Sequence, residues 1–226
     1  MIKALIFDCF GVLYWDDLNR MYDLVGIDNT QNLNDLIHAC DHGYINGQDF
    51  LEQVAALAEK TTDEVAATMR DKQSPNETLM SRVKELKKDY KIGLLSNMGY
   101  DTLDEVFSEK QRQEMFDDVL ISSDVGLIKP SRDLYELALE RLGVGPDEVI
   151  FIDDRLPNIE GAAQLGMKTI LFTTNKHFEQ ELERILEAER AWTTRGRNGT
   201  ARVSRITSRQ KNRSNAADWI AEELPE

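Results

Sequence analysis

Lys3-Ala4-Leu5-Ile6-Phe7-Asp8-Cys9-Phe10-Gly11-Val12-Leu13 decides the fold of this 226-residue chain. Ala4 to Phe7 is an unbroken apolar run of β type. It delivers one carboxylate, Asp8, and a glycine-containing turn follows at once. In an open parallel sheet, ligands gather just past the carboxyl ends of the strands. An aspartate there is held by a rigid strand yet open to a ligand, which suits a nucleophile or a metal ligand.

Working outward, three further short apolar runs stand out at Ile92–Leu95, Val149–Ile152 and Thr169–Phe172, with a weaker fifth at Val119–Ser122. None alternates polar with apolar, so each reads as a strand buried on both faces of a parallel sheet. Helical patterns separate them, at about Thr78–Lys88, Tyr100–Gln113, Arg132–Leu142 and Pro157–Leu165, with glycines at Gly143 and Gly166 as punctuation. The alternation predicts a doubly wound, Rossmann-like α/β fold.

Between Tyr14 and Ser74 no convincing strand appears. Leu33, Leu36 and Ile37 share one helical face, as do Phe50, Val54, Leu57 and Ala58, and Val65 with Met69 forms a third stripe. The expected organisation is an α/β core over 1–13 and 75–189, a small all-helical cap over 14–74 inserted after the first strand, and a tail over 190–226. An insertion at that point sits over the ligand-binding edge of the sheet, where it can close on substrate and exclude water. The last helix is expected over His177–Glu189. Beyond it, few large apolar residues occur, and disorder is the expectation.

Composition narrows the function. The net charge of −14 argues against nucleic acid as a partner of the folded body. The charge is uneven. Residues 190–215 hold eight Arg or Lys and no acidic residue, and removing that +8 takes the remainder to −22. No apolar run reaches the roughly eighteen residues that span a membrane. The opening lysine followed directly by a strand is unlike a signal peptide. Two cysteines make no disulfide framework, and a cytoplasmic setting is expected.

The strand ends supply a matched set of groups. Asp8 follows the first strand, Ser96-Asn97 the second, and Asp153-Asp154 the run at Val149–Ile152. Lys129-Pro130 opens a helix downstream of the fifth run, with Pro130 at its start. Two acidic sites, a hydroxyl and a lysine are the parts a magnesium-dependent phosphoryl transfer needs: hard oxygens for the ion, donors for phosphate oxygens, and a cation beside the attacked group.

On these four ordered motifs, with Asn158-Ile159-Glu160-Gly161-Ala162 after the last, the chain resembles the haloacid dehalogenase-like (HAD) superfamily over about residues 1–189. It is most similar to the capped, sugar-phosphate phosphatase-like branch. The resemblance implies Asp8 as a nucleophile that forms an aspartyl-phosphate. It implies Ser96, Asn97 and Lys129 as the phosphate-binding set. It implies a Mg²⁺ ion held by Asp8, the Phe10 carbonyl, Asp153 and Asp154. The expected partner is a small phosphorylated substrate chosen by the cap.

One position departs from the resemblance. Most phosphatases of the superfamily carry a second aspartate two residues after the nucleophile, to protonate the leaving oxygen and later activate water. Here Phe10 stands there. Its carbonyl keeps the metal ligand, but a phenyl ring moves no proton, and losing a general acid or base lowers rates by about 10²–10⁴-fold. Three readings follow. The first is a phosphatase whose acid comes from the cap, Tyr14, Asp16 or Asp17. The second is a 2-haloacid dehalogenase-like enzyme, a branch with an aromatic residue at this position and no need of a leaving-group acid. The third is a catalytically impaired protein that binds a phosphorylated ligand or another protein. The first is favoured, because the pair Asp153-Asp154 suits a metal.

Other candidates read as structural. Cys9 points away from Asp8 by strand alternation and is expected in the core. His38, Cys40 and His42 are too few for a zinc site, although His42 is placed to face the active site from the cap. Trp15 is expected either to line the pocket or to pack at a hinge.

Overall fold

A computed structural model describes residues 1–15, 19–70, 73–99 and 102–199, with 192–199 as backbone only. The sheet at its centre is built from β1 (Ala4–Phe7), β4 (Lys91–Ser96), β5 (Asp118–Ile121), β6 (Val149–Asp153) and β7 (Lys168–Leu171). A two-stranded ribbon, β2 (Tyr14–Trp15) with β3 (Ser74–Pro75), lies apart from it. The five-stranded order is β5-β4-β1-β6-β7, and every pair is parallel. The chain order reverses at β1, so β1 lies beside both β4 and β6, and the carboxyl ends of these three strands share one rim.

Helices cover both faces. They are α5 (Glu77–Leu86), α6 (Thr102–Val106), α7 (Glu109–Met115), α8 (Ser122–Val125), α9 (Arg132–Leu142), α10 (Leu156–Gln164) and α11 (Asn175–Gly199). Strand side chains alternate between two cores, as the period of two requires. Leu5, Phe7, Ile92, Leu94, Ile150 and Ile152 pack with α5 and with Phe178, Leu182 and Ile185 of α11. Ala4, Ile6, Leu95, Leu120 and Phe151 pack with α9 and α10. Burial on both sides explains why the strands read as continuous apolar runs.

The segment after β1 forms α1 (Asn19–Val25), a 3₁₀ turn, α2 (Thr30–Asp41), α3 (Gly47–Ala58) and α4 (Thr62–Arg70). Met21, Val25, Leu33, Phe50, Val54, Ala55 and Val65 give it a hydrophobic core of its own. Contrary to the expectation of no strand, β2 and β3 pair antiparallel where the insertion leaves and rejoins the core, Tyr14 opposite Pro75 and Trp15 opposite Ser74. Asn76, buried, fastens the same junction. Its N–H donates to the Leu13 carbonyl at 2.8 Å, its Nδ2 to the Val12 carbonyl at 3.0 Å, and its Oδ1 caps α5 at the Leu79 N–H. Strands of two residues lie below what periodicity detects.

Four further boundaries differ from expectation. Tyr100–Gln113 is not one helix: Ser108 and Gln111 form a capping box that starts α7 afresh after α6. Ser122 begins α8 instead of ending β5. Pro130 does not open α9, because Ser131 is the N-cap and Pro130 sits in the preceding turn after a cis peptide bond. Finally, α11 runs ten residues past Glu189, so the expected disorder does not begin at 190. The basic stretch from 200 onward lies outside the described residues.

Candidate active site

Asp8 stands one residue past β1, with its N–H donating to the Ile152 carbonyl of β6 at 2.9 Å. Its Oδ1 accepts from the Cys9 N–H at 2.7 Å and faces Lys129 Nζ at 2.7 Å. The carboxylate plane is therefore fixed by the backbone turn and by the lysine. Lys129, 4% exposed, also donates to Asp153 Oδ2 at 2.8 Å. One ammonium thus bridges two buried carboxylates from neighbouring strands.

Asp153 and Asp154 are not equivalent. Both oxygens of Asp153 are engaged: Oδ1 accepts from the Arg155 N–H at 2.8 Å, Oδ2 from Lys129, and Asn158 Nδ2 donates to both at 3.0 Å. Asn158 is itself held by Tyr135, whose hydroxyl donates to the Asn158 carbonyl at 2.8 Å. Asp153 is therefore a fully satisfied anchor for the lysine. Asp154 projects its carboxylate over the turn after Asp8. Gly11, with φ of 80°, sits beneath it, and a Cβ there would lie 2.3 Å from Asp154 Oδ2. Only glycine both adopts that backbone and leaves that space.

Ser96, at the end of β4, lines the same cavity as Asp8 and Lys129. The Asn97 side chain is used structurally: its Oδ1 accepts from the Lys129 N–H at 2.9 Å and its Nδ2 donates to the Lys129 carbonyl at 3.2 Å. This clamp orients the lysine, so the part of Asn97 left to meet a phosphate is its backbone.

Charge at the rim is unbalanced, with three carboxylates to one ammonium. Burial pushes the Asp8 carboxyl up to about 7, with Asp153 and Asp154 adding to the rise and Lys129 opposing it. Burial pulls Lys129 down, but the facing carboxylates outweigh it and hold the ammonium charged. Asp154 is raised by burial and by Asp153. Asp8, Asp153 and Asp154 each bring an oxygen within 4.8 Å of the others. Hard oxygen donors with surplus negative charge suit Mg²⁺, so these residues fit the ion. Among the described residues this is the one such convergence of three or more His, Cys, Asp or Glu, and it does not include His38, Cys40 or His42.

A cavity of about 610 Å³ opens on this rim. Its far wall comes from the insertion and is largely apolar, with Met21, Ile37, Phe50, Leu51 and Met69. Phe10 extends that surface to within two residues of Asp8. Asp41, at the end of α2, and Arg155 also line the cavity. Neither residue drew notice in the sequence, because a helix-end aspartate carries no motif.

Several sequence candidates lie elsewhere. Tyr14 is no acid for this site: its hydroxyl donates to the Val106 carbonyl, and it does not line the cavity. Trp15 packs against Phe172 with its ring tilted, centroids 6.1 Å apart, and does not line the cavity. His42 stacks on Tyr44, and its Nδ1 lies 2.8 Å from the His38 carbonyl. Cys9 is fully buried in the core, as expected. Asp16 and Asp17 fall outside the described residues.

Comparison with known proteins agrees with this geometry. A family model of haloacid dehalogenase-like hydrolases matches residues 2–166. The chain is 26% identical over 193 residues to the sesquiterpene phosphatase astK of Aspergillus oryzae, covering 81% of this chain and 96% of that protein. It is 25% identical over 190 residues to (S)-2-haloacid dehalogenase 4A of Burkholderia cepacia, covering 75% and 82%. Among solved structures, a HAD family enzyme of Bacteroides thetaiotaomicron in complex with magnesium and inorganic phosphate superposes with a TM-score of 0.66 at 23% identity, over 77% of this chain and 96% of that one.

Proposed function

The chain belongs to the haloacid dehalogenase-like hydrolases, and from that premise we propose that it hydrolyses a phosphomonoester with an apolar alcohol, through an aspartyl-phosphate on Asp8. The observation that carries the reading is the convergence of Asp8, Asp153 and Asp154 within 4.8 Å around the Lys129 ammonium, at the mouth of a cavity whose far wall is apolar. Mg²⁺ would be held by Asp8, the Phe10 carbonyl and Asp154, with Asp153 behind them. When bound it supplies positive charge between an anionic nucleophile and an anionic phosphate.

The chain's own groups do the rest. The Cys9 N–H and Lys129 hold Asp8 in one orientation, so attack starts from a fixed geometry. Lys129 remains charged beside the point of attack and balances charge on the phosphoryl oxygens. Ser96 and the backbone at Asn97 donate to the same oxygens. The helical insertion acts as the cap: Ile37, Leu51 and Met69 receive the alcohol and exclude water. The likeness to a sesquiterpene phosphatase supports an apolar alcohol over a sugar.

The dehalogenase reading draws on Phe10 and on the likeness to a haloacid dehalogenase. It leaves Asp154 without a task, because ester formation on carbon by Asp8 needs no cation beside it. Phosphate release from terpenyl, alkyl and sugar phosphates, with and without Mg²⁺, tests the proposal. Mg²⁺-dependent release that favours the apolar esters is expected. Metal-independent halide release from short 2-halo acids, with no phosphate release, would overturn it.

A further inference from the structure

We propose that Asp41, carried by the insertion, is the general acid and base of this site, replacing the aspartate whose usual position is taken by Phe10. The inference rests on the phosphatase reading above. Four observations lead to it.

The first is need. Phe10 stands where the proton-transferring aspartate usually lies, and, among the described residues named as alternatives, Tyr14 is turned away to the Val106 carbonyl. The second is place. Asp41 lines the same cavity as Asp8, Phe10, Lys129 and Arg155, and it enters from the side on which the alcohol must sit. The third is fixation. The last turn of α2 is docked on the core at two points: the Asp41 carbonyl accepts from Ser122 Oγ at 2.6 Å, and that same hydroxyl accepts from the Met98 N–H at 3.1 Å. Beside it, Cys40 Sγ lies so close to Gly99 that a Cβ there would be 2.6 Å from the sulfur. Both Met98 and Gly99 belong to the loop that follows Ser96 and Asn97. The backbone that carries the carboxyl is thus fastened beside the phosphate-binding loop although it comes from the insertion.

The fourth is chemistry. Burial raises the Asp41 carboxyl to about 6, while Lys129 and Arg155 from the core and His42 beside it pull the other way. Arg70 and Glu105 line the same cavity. A group balanced in this range gives and takes a proton near neutrality. An ionised Asp41 would also repel an arriving phosphate, whereas the neutral carboxyl can donate a hydrogen bond to the ester oxygen.

The steps balance. As an Asp8 oxygen bonds to phosphorus and the phosphorus–alkoxy bond breaks, the Asp41 proton passes to the alkoxy oxygen. This yields the free alcohol, the aspartyl-phosphate and an Asp41 carboxylate. That carboxylate then takes a proton from water as the water oxygen attacks phosphorus and the bond to Asp8 breaks. Inorganic phosphate, ionised Asp8 and neutral Asp41 result.

The test compares full-length wild type and Asp41→Asn with Mg²⁺ on two esters, an alkyl phosphate with a poor leaving group and p-nitrophenyl phosphate with a good one. The expected result is a loss in kcat/KM of about 10²-fold or more on the alkyl ester, and little loss on the aryl ester, whose leaving group departs without a proton. The fall of wild-type alkyl activity above about pH 6 should vanish in the variant. Adding Phe10→Asp to Asp41→Asn should restore alkyl activity, which a structural defect would not allow. Equal losses on both esters, or none on either, would overturn the assignment while leaving the phosphatase intact. No phosphate from either ester with wild type would instead remove the phosphatase reading, and this assignment with it.

Discussion

On the core side of the cavity, Asp8, Lys129 and Asp153 are buried, joined at 2.7–2.8 Å, and set at strand ends or on a loop clamped to one. On the insertion side, Ile37, Leu51 and Met69 are half-buried on two-turn to three-turn helices, with no hydrogen bond to hold them. The first wall is polar, over-determined and intolerant of change. The second is a packed apolar surface in which shape counts more than any one atom. A strand end offers few positions but holds them rigidly, which suits chemistry. A helical face offers many equivalent positions, which suits fitting an alcohol of a given size.

The largest expected effect lies on the core wall. Asp8→Asn removes the nucleophile while keeping its shape, and phosphate release should fall by at least about 10⁴-fold. A phosphate-release assay checks it, and retained turnover would mean that Asp8 is only a metal ligand. Next comes Lys129→Met, which leaves two buried carboxylates without their shared partner. Breaking a buried pair costs about 3–5 kcal/mol. Denaturant unfolding should show that loss at pH 8 and a smaller one at pH 5.5, where Asp8, already raised to about 7, takes up a proton instead. A loss equal at both pH values would show that the rim is not held together by charge.

The same comparison governs how much was legible in the sequence. Buried parallel strands made β1, β4 and β6 visible as apolar runs, and the acidic residues at their ends marked the rim. Two missed features had local signals. Ser108-Glu-Lys-Gln111 is a capping box in plain sequence, and Asn76 before an apolar run is an N-cap. Others had none. Gly11 beneath Asp154, the Asn97 clamp on Lys129, and the division of labour between Asp153 and Asp154 arise between strands distant in sequence. Asp41 reaches the rim only because Ser122 and Gly99 receive the end of α2, and no periodicity encodes that docking.

A third effect is a stability trend in the metal-free protein. Burial pushes Asp8 up to about 7 and Asp41 up to about 6, from 3.8 for an unperturbed aspartate. The native state therefore keeps protons that the unfolded chain has already lost. By linkage, this stabilisation is complete below pH 4 and is lost as pH rises through 6 and 7. Melting temperature should fall between pH 5 and pH 8 without Mg²⁺. Because the ion binds deprotonated ligands, it should restore more at pH 8 than at pH 5. Asp8→Asn should flatten the trend most, and Asp41→Asn in part. A melting temperature that rises over this range would contradict the burial of these carboxyls.

The smallest effect sharpens the contrast, because it lies on the insertion wall. Met69 lines the cavity without joining the fully buried part of the insertion core. Met69→Gln keeps the length of the side chain and places an amide against the alcohol. Burying a methylene contributes ~0.8 kcal/mol, so wild-type kcat/KM should climb with alkyl chain length, by up to about fourfold per carbon, until the cavity is filled. In Met69→Gln the climb should flatten, with a loss of about tenfold on long esters and almost none on short ones. The short esters serve as the internal control, since their alcohols do not reach Met69. If short and long esters fall together, the substitution has disturbed Asp8 or Lys129 through the fold, and the two walls are not separable. If neither falls, the apolar chamber does not hold the alcohol, and selectivity must come from the polar groups of the same cavity, Arg70, Gln73 and Glu105.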